Sequence, residues 1–262
     1  MSTEAVNRSS VVRVESLDDG AIWRVLLNTP KANILDAEKI AALMALFERA
    51  AHDTSLKAIV IEGEGPNFSF GASVEEHLPE NCAAMLSTFH QLFRTILDTS
   101  VITLAAVRGH CLGGGLELAA FCNRVFAAGN ARLGQPEIAL GVFAPVASLI
   151  LNERMGRGGA EDLLIAGRSI DAQEAFRLGL VDELHDNPGD AALAYARAHL
   201  LHHSASSLRH AVRAARLDFS ARFRQQIMVL EHIYNDELMR TSDANEGCRA
   251  FLDKRTPAWK NR

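Results

Sequence analysis

Apolar positions along this chain fall into two rhythms, short unbroken runs and longer stretches with helical spacing. Val11–Ser16 and Ala21–Leu27 are β-rich runs separated by Asp18-Asp19-Gly20, whose turn chemistry predicts a hairpin. Asp36 stands where an N-cap belongs, and Ile40, Leu43, Met44 and Phe47 then share one face of a helix running to about His52. Lys57–Glu62 reads as a buried strand. Cys82–Asp98 carries Met85, Phe89, Leu92, Phe93 and Ile96 at helical spacing, and Val101–Val107 is a second short, almost wholly apolar strand. A strand around Val125–Ala128 continues the pattern.

Strand and helix in alternation imply parallel pairing through crossover connections, and nearly continuous apolar strands fit a sheet covered on both faces. Beyond Ala144 the character changes. Capping patterns recur at Asp171 with Glu174 and at Asp243 with Glu246, and helical stretches fill the sequence from Gly189 onward. The expected organisation is an α/β core over residues 1–188 followed by a helical region over 189–262. Internal repeats and low-complexity tracts are absent from the sequence.

Composition narrows the class of function. With 262 residues, 48% hydrophobic and 23% charged, the chain matches a soluble globular protein with ample material for one continuous core. A formal net charge of −5 argues against the basic footprint that nucleic-acid binding needs. An anionic ligand would have to be held by local cations or backbone N–H groups. The opening residues have neither the apolar core of a signal peptide nor an amphipathic Arg-rich character, and no run approaches the ~18 apolar residues of a membrane span. Cys82, Cys111, Cys122 and Cys248 are widely spaced with no C-x-x-C pair, so they are expected to be reduced, buried thiols of a cytoplasmic protein, without a metal site.

The chemistry concentrates at Arg108–Cys122, RGHCLGGGLELAAFC, where the strand Val101–Val107 is expected to run into Gly113-Gly114-Gly115 and straight on into a helix. Three glycines let a ligand approach the main chain and expose the unpaired N–H groups of a helix N-terminus. A phosphate loop lacks its Lys-Ser/Thr, since Leu116-Glu117 stands there, and a dinucleotide fingerprint fails because the glycines are contiguous. What remains is a hole for a small developing negative charge. Glu117 in the first helical turn is either a dipole carboxylate or a reactive one. Glu137, after Gln135-Pro136, either caps a short helix or joins Glu117 at the crevice along one sheet edge. Gly71-Ala72-Ser73 in FSFGASVEE is either an ordinary loop or the source of a second oxyanion donor. His199, His202 and His203 have metal-like spacing but no completing carboxylate, and read as a solvated face. His110 either orients water or packs, and its role is open, as is that of Ser73. No G-x-S-x-G elbow supports a serine hydrolase, and MGRGGAE around Gly156 reads as a helix–helix joint.

AAVRGHCLGGGLELAAFCNRVFAA followed by ARLGQPEIALGV resembles the crotonase (enoyl-CoA hydratase/isomerase) superfamily, and the likeness continues through GRSIDAQEAFRLGLVDEL to ANEGCRAFLDKRTPAWK. The resemblance implies a crotonase-like α/β spiral of ββα units, homotrimers formed through C-terminal helices and often paired, and acyl-CoA thioester substrates with no separate cofactor. It places the two oxyanion amides on Ala72 and Gly114, the two hydratase carboxylates on Glu117 and Glu137, and CoA contacts on Lys31, Ala32, Phe251 and Lys254, the last two often reaching a neighbouring subunit's ligand. Lys31 and Lys254 would supply the cations that an acidic protein needs for CoA phosphates.

Within the superfamily, FSFGASVEEHLPE and QPEIALGVFAP look most like the hydratases of cyclic dienoyl-CoA thioesters. Ser73 stands where the common pattern has aspartate, and GVFAPVAS replaces a glycine-rich turn. Phe143, Ala144 and Pro145 thereby add apolar bulk beside Glu137, forming an acyl pocket suited to a flat carbocycle. The resemblance implies reversible hydration of a conjugated, cyclic dienoyl-CoA. Straight-chain hydration, double-bond isomerisation and non-catalytic binding of CoA esters are the alternatives.

Overall fold

The computed structural model describes residues 11–262; the first ten, on which half of the leader-free reading rests, lie outside the described residues. In chain order, the first half comprises β1 (Val12–Leu17), β2 (Ile22–Leu27), α1 (Ala37–His52), β3 (Ala58–Gly63), α2 (Cys82–Thr99), β4 (Ile102–Val107), β5 (His110–Leu112) and α3 (Gly114–Phe121). Then follow β6 (Arg124–Ala127), β7 (Arg132–Gly134), α4 (Pro145–Ala166), β8 (Ser169–Asp171), α5 (Ala172–Arg177), β9 (Glu183–Leu184), α6 (Pro188–His199), α7 (Ala205–Ala215), α8 (Leu217–His232) and α9 (Ser242–Leu252).

Among the described residues, six strands form one sheet in the order β1-β2-β3-β4-β6-β9, antiparallel at β1–β2 and parallel elsewhere. Its side chains alternate between two cores. Ile59 and Ile61 of β3 join Ala105, Val107, Val125 and the apolar faces of α1 and α2, whereas Ala58, Val60, Leu104 and Phe126 pack against Ala192, Leu193 and Ala196 of α6. Both faces are dry, which is why these strands carry almost no polar position. Complete burial of a side chain such as Phe47 or Leu27 stabilises the fold by roughly 1.5–3 kcal/mol.

A second, smaller layer runs beside the large sheet. Leu35 bridges Ala72, Ser69 bridges Cys111, and β5, β7 and β8 form a short sheet. Each turn of chain thus adds a strand to the large sheet, a short extended segment to the small layer, and a helix: β3 with residues 68–72 and α2, β4 with β5 and α3, β6 with β7 and α4. This is the expected spiral of ββα units. Helix α6 lies within the segment assigned to the helical C-terminal region, yet it covers one face of the large sheet.

Two local expectations are corrected. The strand Val101–Val107 does not run directly into the glycine turn. The chain leaves the large sheet at Arg108-Gly109 and enters β5 of the small layer, because Cys111 and Leu112 pair there with Leu133 and Gly134. Nor does Asp243 cap α9. Thr241 does, its hydroxyl accepting from the Ala244 N–H at 3.2 Å. The Asp243 carboxylate instead accepts from the Lys260 and Asn261 amides, while Glu246 pairs with Arg255 and accepts from the Ala258 amide at 2.8 Å. Both acids bind the C-terminal tail, which outbids a role in the capping box. The caps at Asp36 and Asp171 are as expected, accepting from Lys39 and Glu174 amides, and α4 kinks at Gly156 as the sequence foretold.

Candidate active site

The small layer brings two βα turns into contact. Gly71 has φ 101°, and a Cβ there would lie 2.9 Å from the Leu112 carbonyl and 3.3 Å from the Gly114 nitrogen. A Cβ on Gly114 would lie 3.3 Å from the Ala72 nitrogen. Bare backbone on both turns therefore gathers the Ala72 and Gly114 amides at one spot. Each is free for a reason of geometry. Gly114 opens α3, so its N–H precedes the first intrahelical carbonyl. At the Leu35–Ala72 bridge it is the neighbouring Gly71 carbonyl that accepts, from Leu35. The α3 dipole adds positive potential at the same point.

Glu117 lies in the first turn of α3 and is only 3% exposed. Its Oε1 accepts from the Ala147 N–H at 2.8 Å, and the Val146 N–H also favours its ionised form. These are first-turn amides of α4, which starts at Pro145. Burial nevertheless wins, raising the Glu117 carboxyl from 4.5 to about 7. Glu137 follows Pro136 in a short 3-10 turn over Pro136–Leu140. Burial first, and then the charge of Glu117, raise it to about 8. With its amide nitrogen turned toward the carboxylate, Gln135 donates to Glu137 Oε2 at 2.9 Å and Oε1 at 3.1 Å. Gly113, at φ 52°, leaves this carboxylate its room, since a Cβ there would fall 2.6 Å from Glu137 Oε1.

Amides and carboxylates face one cavity of about 860 Å³. Of the residues singled out from sequence, Ala32, Ala72, Ser73, Gly114, Glu117, Glu137, Phe143, Ala144, Pro145 and Phe251 line it. The walls are otherwise mostly apolar, including Met85, Leu86, Phe89 and Leu140. Two neighbouring main-chain amides, two carboxyls of raised pKa and a mostly apolar wall make a site suited to polarising a carbonyl and moving protons beside it.

The profile of the enoyl-CoA hydratase/isomerase family matches residues 18–262. The chain belongs to that family. It is 51% identical over 97% of its length to the cyclohexa-1,5-dienecarbonyl-CoA hydratase of Thauera aromatica, covering 98% of that protein. It is 35% identical to the 2,3-dehydroadipyl-CoA hydratase of Escherichia coli, over 90% of this chain and 94% of that one. Among solved structures, an enoyl-CoA hydratase from Mycobacterium avium subsp. paratuberculosis superposes with a TM-score of 0.82 at 25% identity, over 95% of this chain and 98% of that one.

Other sequence candidates fall elsewhere. Lys31 and Lys254 are exposed and do not line the cavity, both carried on residues of positive φ. Arg255, unremarked in the sequence, lines its wall instead, beside Pro257. Phe251 lines the cavity of its own chain. His110 is exposed outside the cavity and stacks on Phe70, ring centroids 4.8 Å apart. Ser73 contributes its carbonyl, 2.7 Å from His77 Nδ1. His202 and His203 make a tilted ring contact with each other and His199 with Tyr195; no group of metal-ligating side chains occurs among the described residues. Sequence reasoning missed Gln135 and Tyr234. Gln135 stood in the quoted QPE motif, and Tyr234 gave the signal of a phenol at an apolar position, which needs a polar partner.

Proposed function

We propose that this chain is a hydratase that adds water reversibly to a conjugated, cyclic dienoyl-CoA thioester. The observation carrying this reading is the pair of glutamates, Glu117 buried and Glu137 half-buried, facing the same cavity as the amides of Ala72 and Gly114. The 51% identity to a cyclohexa-1,5-dienecarbonyl-CoA hydratase supports the cyclic substrate, as does the bulk of Phe143 and Pro145 in the cavity wall.

The thioester oxygen accepts from the two amides. Glu117, favoured as the anion by the α4 amides, takes a proton from water as its oxygen bonds to an electron-poor carbon of the conjugated system. The displaced electron pair moves onto the thioester oxygen, giving an enolate that the amides and the α3 dipole stabilise. Glu137, the more strongly protonated of the two, delivers its proton to carbon, and the enolate collapses to the thioester. One proton shared between two carboxyls is the starting state this cycle requires. No step calls for a cofactor beyond the CoA carried by the substrate.

Lys31 and Lys254, close in sequence to the lining residues Ala32 and Phe251, are the cations we assign to the CoA phosphates. The exposed Leu217, Met228 and Val229 of α8 support a homotrimer or a pair of trimers. No described helix is long and apolar enough to cross a membrane, and four buried, unpaired cysteines support a reducing, cytoplasmic setting.

The test compares cyclohexa-1,5-dienecarbonyl-CoA and crotonyl-CoA side by side in ¹⁸O water, with mass spectrometry of the product. Hydration adds one labelled hydroxyl with CoA attached, faster for the cyclic substrate. An unlabelled rearranged product, or free CoA, replaces this reading with isomerisation or hydrolysis.

A further inference from the structure

Tyr234 is the most buried polar group of the cavity that the mechanism leaves unused. Its side chain has 0% exposure and lines the cavity, and its hydroxyl has no hydrogen-bond partner among the described residues. Cys82, Leu86, Val142 and Cys248 belong to the same buried cluster, and the Phe143 ring lies 5.2 Å away, centroid to centroid. A buried hydroxyl left without a partner is destabilising, and so marks a group waiting for a ligand atom. The backbone repeats the message. Tyr234 sits in the single π-helical turn Ile233–Glu237 that continues α8, an irregularity that rotates side chains out of α-helical register and is frequent at functional sites. Burial and the nearby thiols and glutamates hold the phenol well above its ordinary pKa, so it remains a donor at any working pH.

We infer that the Tyr234 hydroxyl donates a hydrogen bond to the oxygen that hydration adds, first as bound water and then as the hydroxyl of the product. It is the group in the acyl pocket that distinguishes a hydrated ligand from an unhydrated one. Neither Ala72 nor Gly114 can do so, being committed to the thioester oxygen. The inference rests on the hydratase reading and names a specificity-determining residue within it.

The test measures binding of two CoA thioesters, hydroxycyclohexenecarbonyl-CoA and cyclohexenecarbonyl-CoA, which differ only in the hydroxyl, to the intact protein and to Tyr234→Phe. The variant is expected to bind the hydroxylated thioester about tenfold or more weakly and the other within about twofold. Its melting temperature should equal or exceed that of the parent, since it loses an unpaired group. Equal losses for both ligands, no loss for either, or a lowered melting temperature would overturn the inference while leaving the hydratase reading intact. A parent protein that binds neither thioester overturns both.

Discussion

Replacing Glu137 by glutamine tests the electrostatics of the site without any substrate. A carboxyl whose folded-state pKa is raised is stabilising below its unfolded value, and that contribution is lost as pH rises through the folded value. For Glu137 the window runs from 4.5 to about 8. At ~1.4 kcal/mol per pH unit that interval corresponds to a ceiling of ~5 kcal/mol. Part of it belongs to repulsion from Glu117, and buried sites relax and admit water, so ~2–4 kcal/mol is the realistic range. Glutamine is nearly isosteric with the protonated acid and cannot ionise. Glu137→Gln should therefore match the parent near pH 5 and exceed it by ~2–4 kcal/mol near pH 9. At roughly 2–4 °C per kcal/mol for a chain of this size, thermal melts should separate by ~4–16 °C at the alkaline end. The assay is a series of melts of both proteins from pH 5 to 9. Parallel curves across the range, or a variant less stable at pH 9, would refute the claim that desolvation and the charge of Glu117 make Glu137 keep its proton.

In the proposed reaction the same pair supplies the base and the acid. The rate should rise with pH through about 7 as Glu117 ionises and fall above about 8 as Glu137 loses its proton, giving a bell whose alkaline limb disappears if only one carboxyl is needed. Glu117→Gln should lower turnover by about 10²–10⁴-fold with CoA-ester binding retained, as read by competition against a fluorescent thioester; near-parent turnover would remove Glu117 from the mechanism. Gly113→Ala puts a methyl 2.6 Å from Glu137 Oε1 on a backbone of positive φ, and should lower kcat far more than it raises KM. Asp243→Ala frees the Lys260 and Asn261 amides, and should speed proteolytic trimming of the C-terminal tail without changing the core melting transition by more than a few degrees.

What the sequence disclosed and what it withheld divide along chain distance. The strands were legible because a sheet buried on both faces leaves its signature in consecutive residues. The glycine turn at the start of α3 and the position of Glu117 in its first turn were legible because a glycine run followed by a helix is itself local. Glu137 came with Pro136, which opens its own short turn. The partners of these groups were not legible. Ala147 lies 30 residues from the carboxylate it supports, and Tyr234, which lines the cavity, sits in a π-turn that no spacing pattern announces. Asp243 and Glu246 satisfied a capping pattern and were misread for the same reason: their true partners, residues 255–261, arrive from the tail by a fold of the chain. His110, whose role the sequence left open, is exposed and does not line the cavity.

The site departs from the rule that buried charge is matched by opposite charge. No Lys or Arg figures among the influences on Glu117 or Glu137; their counterweights are main-chain N–H groups and an amide side chain. A cation beside them would fix both as carboxylates and leave no acid to protonate carbon. Leaving both bare would keep them protonated, with no base for water. Backbone donors from the start of α4 favour ionisation of Glu117, while the charge of Glu117 raises Glu137, so Glu137 is the member that keeps its proton more strongly. Pro145 contributes to this asymmetry by starting α4 where its first amides meet Glu117. If Phe143–Pro145 shapes the acyl pocket as proposed, the same turn also positions the amides that meet Glu117, and a substitution there should shift the pH optimum together with substrate preference.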